Sequence, residues 1–186
     1  TAGYVPGKQV ALGLDLAASE FFDAGKYYFV DAKIGWKADK LTDTLARWVK
    51  KYPLVSLEDP FAEDDWSAWQ QVTKRLGEQI TLVGDDLFVT NKERVARGLE
   101  EKVANAVLIK LNQIGTLTET LDTIRLAKNN NYAVSVSHRS GETADTFIAD
   151  LSVAVNAEFI KTGSLSRSER TEKYNRLMEI EAEIGL

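Results

Sequence analysis

The sequence predicts an α/β fold in which about six βα units share one parallel sheet of the barrel type. Two observations support this prediction. Short apolar segments bounded by turn residues alternate with stretches whose apolar residues recur at spacings of three and four, a pattern typical of βα repeats. The apolar segments are nearly unbroken, as expected for strands that are buried on both faces of a parallel sheet.

Six strands are predicted, with helices in the intervals between them. The strand segments are residues 10–15, 54–58, 81–85, 106–110, 133–137 and 159–161. The extra segment 26–31 is predicted to form a small strand or hairpin insertion and not a further barrel strand. Three helix starts are predicted from capping boxes, in which a Ser or Thr and a Glu three residues later satisfy free backbone groups: Thr90 with Glu93, Thr116 with Glu119, and Ser166 with Glu169.

Composition and charge limit the class of protein. The chain has 186 residues, 44% of them hydrophobic, and no linker-like tract, so we expect one domain with a core over residues 1–186. The net charge of −5 disfavours a nucleic-acid or anionic membrane partner. The sequence contains no cysteine, which excludes disulfides and thiolate metal sites and fits a cytoplasmic protein.

Targeting segments are not evident in the sequence. No apolar run approaches the ~20 residues that a membrane-spanning helix needs, and residues 1–8 do not resemble a secretory signal. We therefore expect a soluble protein without a transmembrane segment. Because the sequence starts at Thr1 and not at Met, we also expect it to be a piece of a longer protein.

A charged or titratable residue ends each predicted strand. After the first, these residues recur at the spacing of one βα unit: Asp15, Glu58, Asp85, Lys110, His138 and Lys161. In a closed parallel barrel the carboxyl ends of the strands meet at one rim, which is where such folds build their active sites. The spacing therefore predicts that these residues form one site.

Asp15, Glu58 and Asp85 are the predicted metal ligands. Mg²⁺ prefers oxygen ligands, and a chain with no cysteine and one histidine offers mainly carboxylates. Taken singly, each acid is more often a helix cap or a surface ion-pair partner, but three at successive strand ends favour a metal site. The neighbouring Asp59 and Asp86 are expected to point elsewhere because side chains alternate along a strand, and either to support the ligands or to belong to loops.

Lys110 and Lys161 are predicted to lie close together at the mouth of the barrel. A desolvated lysine beside another cation loses its proton more readily and can then act as a general base. Carboxylates and a metal nearby also affect the balance, which the sequence leaves open. The alternative is that either lysine forms a structural ion pair with a strand-end carboxylate.

The segment 137–143, Ser-His-Arg-Ser-Gly-Glu-Thr, has the composition of an anion-binding loop. Its backbone N–H groups, the Ser140 hydroxyl and the Arg139 guanidinium could hold a phosphate at a helix N-terminus. The alternative is an ordinary loop with a serine cap. The sequence has no nucleophile elbow, P-loop or dinucleotide-binding fingerprint, which disfavours a hydrolase, an NTPase or a Rossmann protein.

Segments containing these residues resemble the enolase family over almost the whole chain. They occur in the family's order, at residues 14–20, 56–61, 84–87, 108–115, 137–143 and 160–163. The resemblance implies a (β/α)8 TIM barrel of the enolase type, of which about six βα units are present here as a partial barrel. It also implies a glycolytic lyase, phosphopyruvate hydratase, that interconverts 2-phosphoglycerate and phosphoenolpyruvate with Mg²⁺.

For the metal, the resemblance implies that Asp15, Glu58 and Asp85 bind one Mg²⁺ and, through it, the substrate carboxylate. Glu58 would in this way also belong to the substrate-binding residues. A second Mg²⁺ would contact carboxylate and phosphate oxygens of the substrate. The use of Mg²⁺ to stabilise an ene-diolate, together with a lysine or histidine base, is an established example of this superfamily's chemistry.

For catalysis, the resemblance implies that Lys110 removes the proton next to the substrate carboxylate. Lys161 would bind the carboxylate and stabilise the charge that develops on it, since a fixed cation lowers the energy of a forming anion. His138 would line the pocket, and Arg139 and Ser140 would hold the phosphate. The small-molecule partner is therefore expected to be a phosphorylated acid.

Parts of the family pattern are not matched. The family's general-acid glutamate, its closing loops and its first two barrel strands precede the matching region, so we expect a barrel domain incomplete at its N-terminus and impaired when isolated. The family forms homo-oligomers largely through its N-terminal part, which leaves the oligomeric state of this chain open. Members are cytoplasmic and are also found at the cell surface or secreted.

Two other functions compete with this interpretation. One is another acid dehydratase or lyase of the enolase superfamily, acting on a sugar acid or a muconate-like substrate. Such enzymes share the metal carboxylates, but the segments 137–141 and 161–163 disfavour them. The other is a non-catalytic fragment that binds partners through its exposed sheet edges.

Overall fold

The fold is known from a computed structural model that describes residues 2–29 and 34–185. Its main feature is a six-stranded parallel sheet with strand order β1-β4-β5-β6-β7-β8, and a separate hairpin pairs β2 with β3. The strands are β1 (Leu12–Asp15), β2 (Phe22–Asp23), β3 (Lys26–Tyr27), β4 (Leu54–Glu58), β5 (Thr81–Gly84), β6 (Ala106–Ile109), β7 (Ala133–Ser137) and β8 (Phe159–Lys161).

Helices connect successive strands of the sheet. A short 3-10 helix at Ala18–Phe21 precedes the hairpin. The α-helices are α1 (Ala38–Lys51), α2 (Trp66–Leu76), α3 (Lys92–Glu101), α4 (Leu111–Ile114), α5 (Leu117–Asn129), α6 (Phe147–Ala154) and α7 (Ser168–Ile184). Within residues 2–29 and 34–185, each helix is either too short or too polar to cross a membrane.

The sheet is a partial barrel, as the sequence predicts. Each strand pairs in parallel with the next main strand along the chain. The ammonium of Lys161 on β8 lies 2.7 Å from a carboxylate oxygen of Asp15 on β1, although these are the two edge strands of the sheet. The sheet must therefore curl until the carboxyl ends of its first and last strands face each other.

The core lies between the sheet and the helices. All four residues of β6 are buried, and α1 and α2 bury one stripe each, including Leu45 and Trp69. Phe88, just after β5, fills the space between that strand and α3. A Cβ on Gly84 would lie 2.6 Å from the Phe88 ring and one on Gly98 only 2.5 Å, so both glycines are needed for this close packing. The ring thereby anchors the turn that carries Asp85.

The insertion and the strand boundaries agree with the prediction only in part. A hairpin forms outside the main sheet, but it spans residues 22–27, so only Lys26 and Tyr27 of the predicted segment 26–31 are strand residues, and residues 30 and 31 lie outside the described residues. Strand β1 begins at Leu12, two residues later than predicted. Strands β5 and β6 end one residue earlier than predicted, at Gly84 and Ile109. Asp85 and Lys110 therefore follow their strands directly.

One of the three predicted capping boxes is confirmed. Thr116 caps α5, where its hydroxyl accepts a hydrogen bond from the Glu119 N–H at 3.2 Å. The prediction at Thr90 is wrong, because Asn91 caps α3 instead. The prediction at Ser166 is also wrong, because α7 begins after Arg167, which makes no side-chain cap bond.

Candidate active site

Lys161 joins two of the predicted metal-binding carboxylates. Its Nζ lies 2.7 Å from Oδ2 of Asp15 and 2.7 Å from Oε1 of Glu58. These two oxygens come from neighbouring strands, β1 and β4, whose last residues pair in register. The prediction that the strand ends converge therefore holds for these three residues.

The electrostatics of this group follow from its partial burial. Burial alone would lower the pKa of Lys161, but hydrogen bonds to Asp15 and Glu58 raise it to about 12. The pKa of Glu58 is raised to about 7, because burial and the nearby charges of Asp15 and Asp85 together outweigh the opposing effect of Lys161. Lys161 therefore stays protonated at neutral pH, and the negative charges of Asp15 and Asp85 act on Glu58.

Lys110 lies beside the third predicted ligand. Its Nζ is 2.6 Å from Oδ2 of Asp85, and both side chains are mostly buried. Its backbone N–H donates to the hydroxyl of Thr90, which fixes the start of the chain segment after β6. Both lysines thus form ion pairs with strand-end carboxylates, which is the alternative that the sequence leaves open.

The second carboxylate oxygen of Asp85 makes no hydrogen bond to the described residues. Asp85 is 8% exposed, and its Oδ1 is buried without a hydrogen-bond partner among the described residues. A buried carboxylate oxygen without a donor is costly, by roughly 1–3 kcal/mol or more. A cation at this oxygen would remove the cost.

Asp59 supports Asp85 through the backbone. Its two carboxylate oxygens accept hydrogen bonds from the N–H groups of Asp85 and Asp86, at 2.9 and 2.8 Å. One oxygen from each of these three acids lies within 4.8 Å of the others. Asp59 thus supports Asp85 as the sequence predicts, and it does so from a left-handed backbone conformation with φ of 39°, directly after β4.

Replacing Asp59 with asparagine is expected to destabilise the fold. An amide has only one accepting oxygen, so one of the two N–H groups, which are buried at Asp85 and partly buried at Asp86, would face an NH₂ group and lose its partner. We expect a loss of about 1–3 kcal/mol in the free energy of unfolding, measured by urea denaturation. Asp64→Asn is the matched control because Asp64 is exposed in the same loop region. Equal stability of the two variants would contradict this account.

A cavity of about 240 Å³ opens beside these residues inside the partial barrel. Its charged lining comes from Asp15, Glu58 and Lys161, two serines add hydroxyl groups, and its apolar lining includes Val83 and Phe159. The charged groups thus stand at one end of a space whose walls are mainly apolar. Electrostatic interactions are stronger in such a setting than in bulk water.

His138 and the loop after it lie next to Lys161. The backbone N–H of His138 donates to the Lys161 carbonyl at 2.9 Å, which extends the pairing of β7 with β8. The Arg139 guanidinium donates to Asn112 at 2.6 Å, and the Ser140 carbonyl accepts from Arg170. The loop therefore borders the same rim as the acids.

The loop differs from the prediction in its relation to the next helix. Helix α6 begins at Phe147, so Arg139 and Ser140 do not lie in its first turn. Glu142 orders the loop instead, since its carboxylate accepts from the N–H groups of Arg139 and Thr143. Burial raises the pKa of Glu142, but the hydrogen bonds from Lys173 and these N–H groups outweigh it and hold the pKa below its ordinary value.

Comparison with known proteins identifies the family. Residues 1–186 match the family model described as the enolase C-terminal TIM barrel domain. The chain belongs to the enolase family. A curated enolase from Elusimicrobium minutum (strain Pei191) is 58% identical over 177 residues, which cover 95% of this chain and 41% of that protein. The chain thus spans about two fifths of the length of this enolase.

These matches confirm the family and the partial TIM barrel that the sequence predicts. The geometry adds two residues that the sequence analysis missed. Arg170 and Lys173 of α7 both donate hydrogen bonds to the loop after β7. The only signal for them in the sequence is a pair of basic residues three apart on the helix after the last strand, and such pairs are common on solvated helix faces.

Proposed function

We propose that the protein containing this chain catalyses the reversible dehydration of 2-phosphoglycerate to phosphoenolpyruvate with Mg²⁺. The observation that carries the proposal is a pair of ion-paired groups at the carboxyl ends of strands in an enolase-family barrel: Lys161 with Asp15 and Glu58, and Lys110 with Asp85. The reaction would belong to glycolysis, in the cytoplasm, and the working enzyme would be a homo-oligomer. The name of the Elusimicrobium relative supports the reaction class.

Asp15, Glu58 and Asp85 are the proposed ligands of a divalent cation. Oxygens of Asp15 and Glu58 already approach one nitrogen to 2.7 Å, so they can share a cation, and Oδ1 of Asp85 is buried without a donor among the described residues. A set of carboxylate oxygens suits Mg²⁺. When bound, Mg²⁺ would supply positive charge that stabilises the negative charge developing on the substrate carboxylate.

Lys110 is the proposed base. In the structure its ammonium donates to Asp85, so it must first lose a proton and leave this hydrogen bond in order to accept one from carbon. The carbon is the one next to the substrate carboxylate, and Nζ would take up its proton. Lys110 lies beside Asp85, one of the proposed metal ligands. A cation bound there would stabilise the negative charge that forms on the substrate when its proton is removed.

Lys161 and the loop after β7 are proposed to bind the substrate. Since the pKa of Lys161 is raised to about 12, this residue stays protonated and can hold the carboxylate as its charge grows. Arg139 and Ser140 would hold the phosphate, with His138 at the wall of the pocket. A guanidinium suits this role because its donors match two phosphate oxygens at once.

An assay of phosphoenolpyruvate formation tests the proposal. Full-length protein with Mg²⁺ should convert 2-phosphoglycerate, and a chelator should abolish the conversion. Turnover of sugar acids or muconate-like acids instead would indicate another member of the superfamily. Absence of any turnover, together with no stabilisation by Mg²⁺ and a stable complex with a macromolecule in size-exclusion chromatography, would indicate a partner-binding protein.

The isolated chain is a second test of the proposed residue roles. We expect it to turn over poorly even with Mg²⁺, because the family motifs matched here include no general-acid glutamate. Full-length rates from the 186-residue chain alone would mean that a group within it supplies the acid.

A further inference from the structure

Helix α7 holds the loop after β7 through two cationic side chains. Arg170 donates to the carbonyls of Arg139 and Ser140, both at 2.9 Å. Lys173 is fully buried, and its Nζ lies 2.9 Å from a carboxylate oxygen of Glu142 and 2.6 Å from the Thr143 carbonyl. A buried cation that is fully hydrogen-bonded gives a rigid attachment, so the loop is fixed to α7 at two places.

Arg170 also contacts the ring of His138. Its Nη1 lies 2.5 Å from Nδ1 of that imidazole. The side chain reaches this position by passing over Gly163, which has φ of +86°, and a Cβ at this glycine would lie 2.7 Å from Cδ of Arg170. The absence of a side chain after β8 therefore opens the route from α7 to the rim.

The chemistry of guanidinium fixes the state of the imidazole. Arginine has only donors and remains protonated at all ordinary pH values, so Nδ1 of His138 must be the acceptor in this contact. An imidazole that accepts at Nδ1 is neutral and carries its proton on Nε2. A doubly protonated ring would place two N–H donors, one on each residue, against each other.

The charges around His138 agree with a neutral ring. Burial lowers the pKa of His138, and the charges of Arg170, Lys161 and Lys173 lower it further, while only Glu142 acts in the opposite direction. These groups come from β8, from α7 and from the loop itself. Protonation of the ring is thus disfavoured by the charges on β8 and α7, and only Glu142 of the loop favours it.

We infer that Arg170 is a positioning residue, which holds His138 as the neutral Nε2–H tautomer so that the imidazole offers an N–H donor to the phosphorylated substrate. The inference rests on the proposed function for the identity of that substrate, but not for the tautomer. It assigns His138 a hydrogen-bonding role in place of a role as a proton donor at neutral pH. The same guanidinium also holds the loop backbone in place through its hydrogen bonds to the carbonyls of Arg139 and Ser140.

Nitrogen-15 NMR of the histidine ring tests the inference directly. This chain has a single histidine, and in a longer protein its signal is the one lost in His138→Gln. The wild-type ring should show the Nε2–H pattern at pH 7, with a titration midpoint below the ordinary value of about 6.5. Arg170→Met should raise the midpoint towards about 6.5 and populate both tautomers, and Arg170→Lys should restore the wild-type pattern in part.

Arg125→Met is the matched control, because Arg125 is exposed on α5 and pairs only with Asp122 at the surface. It should leave the ring signals unchanged. A wild-type ring protonated on Nδ1, or doubly protonated at pH 7, would overturn the inference without any variant. An unchanged tautomer and midpoint in folded Arg170→Met would overturn it as well.

Kinetics separate this inference from the proposed function. If both hold, Arg170→Met lowers kcat/KM for 2-phosphoglycerate by about 10- to 100-fold, because a displaced donor spoils the alignment of the substrate. Arg125→Met should keep the wild-type value. If the wild type lacks this activity altogether, the proposed function fails, and the ring spectrum still decides whether Arg170 sets the tautomer.

Discussion

Replacement of Lys110 with alanine is expected to abolish exchange of the proton next to the substrate carboxylate. Lys110 is the proposed base, and its Nζ lies within 2.6 Å of an acid of the proposed metal site. Loss of a positioned general base lowers the rate by roughly 10²–10⁴-fold. Hydrogen–deuterium exchange at the substrate carbon, followed by NMR in deuterated buffer, measures this step apart from the loss of hydroxide.

The control for this variant is Lys74→Ala, which removes an exposed lysine from α2 and should leave exchange at the wild-type rate. Circular dichroism shows whether the Lys110→Ala protein is folded before exchange is measured. Exchange at the wild-type rate in folded Lys110→Ala would show that a different group removes the proton. In that case Lys110 would be a structural ion-pair partner of Asp85.

Replacement of Glu58 with glutamine is expected to weaken Mg²⁺ binding by about 100-fold or more. Glutamine keeps the shape of the side chain and can still accept a hydrogen bond from Lys161, but it removes an anionic ligand oxygen. Changes to residues that merely support metal ligands already cost about 10- to 100-fold in affinity, so loss of a ligand should reach at least the upper value. Isothermal titration calorimetry with Mg²⁺ measures the effect.

Asp86→Asn is the informative comparison for Glu58→Gln. Asp86 belongs, with Asp59 and Asp85, to an acidic group with one oxygen from each residue within 4.8 Å of the others, but it lies outside the proposed ligand set. Its backbone N–H, which binds Asp59, is kept in the variant. We therefore expect Asp86→Asn to bind Mg²⁺ with affinity close to that of the wild type. The reverse result, with Asp86→Asn impaired and Glu58→Gln unaffected, would place the ion among Asp59, Asp85 and Asp86.

The fold and the main site groups could be predicted from the sequence because both follow from short-range patterns. Nearly unbroken apolar segments mark strands buried on both faces, and helical periodicity separates them. In such a sheet, parallel strands place their carboxyl ends together, so a titratable residue at each strand end is enough to predict that Asp15, Glu58 and Lys161 meet. The structure confirms this meeting.

Other features could not be predicted because they depend on contacts between distant segments. The position of Asp59 comes from a left-handed backbone conformation that strand alternation does not describe. The N-cap of α3 is Asn91 and not the predicted Thr90, because the Thr90 hydroxyl accepts a hydrogen bond from the backbone N–H of Lys110 instead. Arg170 reaches His138 only because α7 folds back over Gly163, and nothing in the local sequence shows this contact.

The central claim is that Asp15, Glu58 and Asp85 hold one divalent ion in a chamber that Lys110 and Lys161 also face. A crystal structure of the full-length protein with Mn²⁺ in place of Mg²⁺ tests it most directly, because the anomalous signal locates the ion. We expect a peak bonded by carboxylate oxygens of all three acids, with both ammonium groups beside it. A peak held by Asp59 and Asp86 without Asp15 and Glu58 would contradict it.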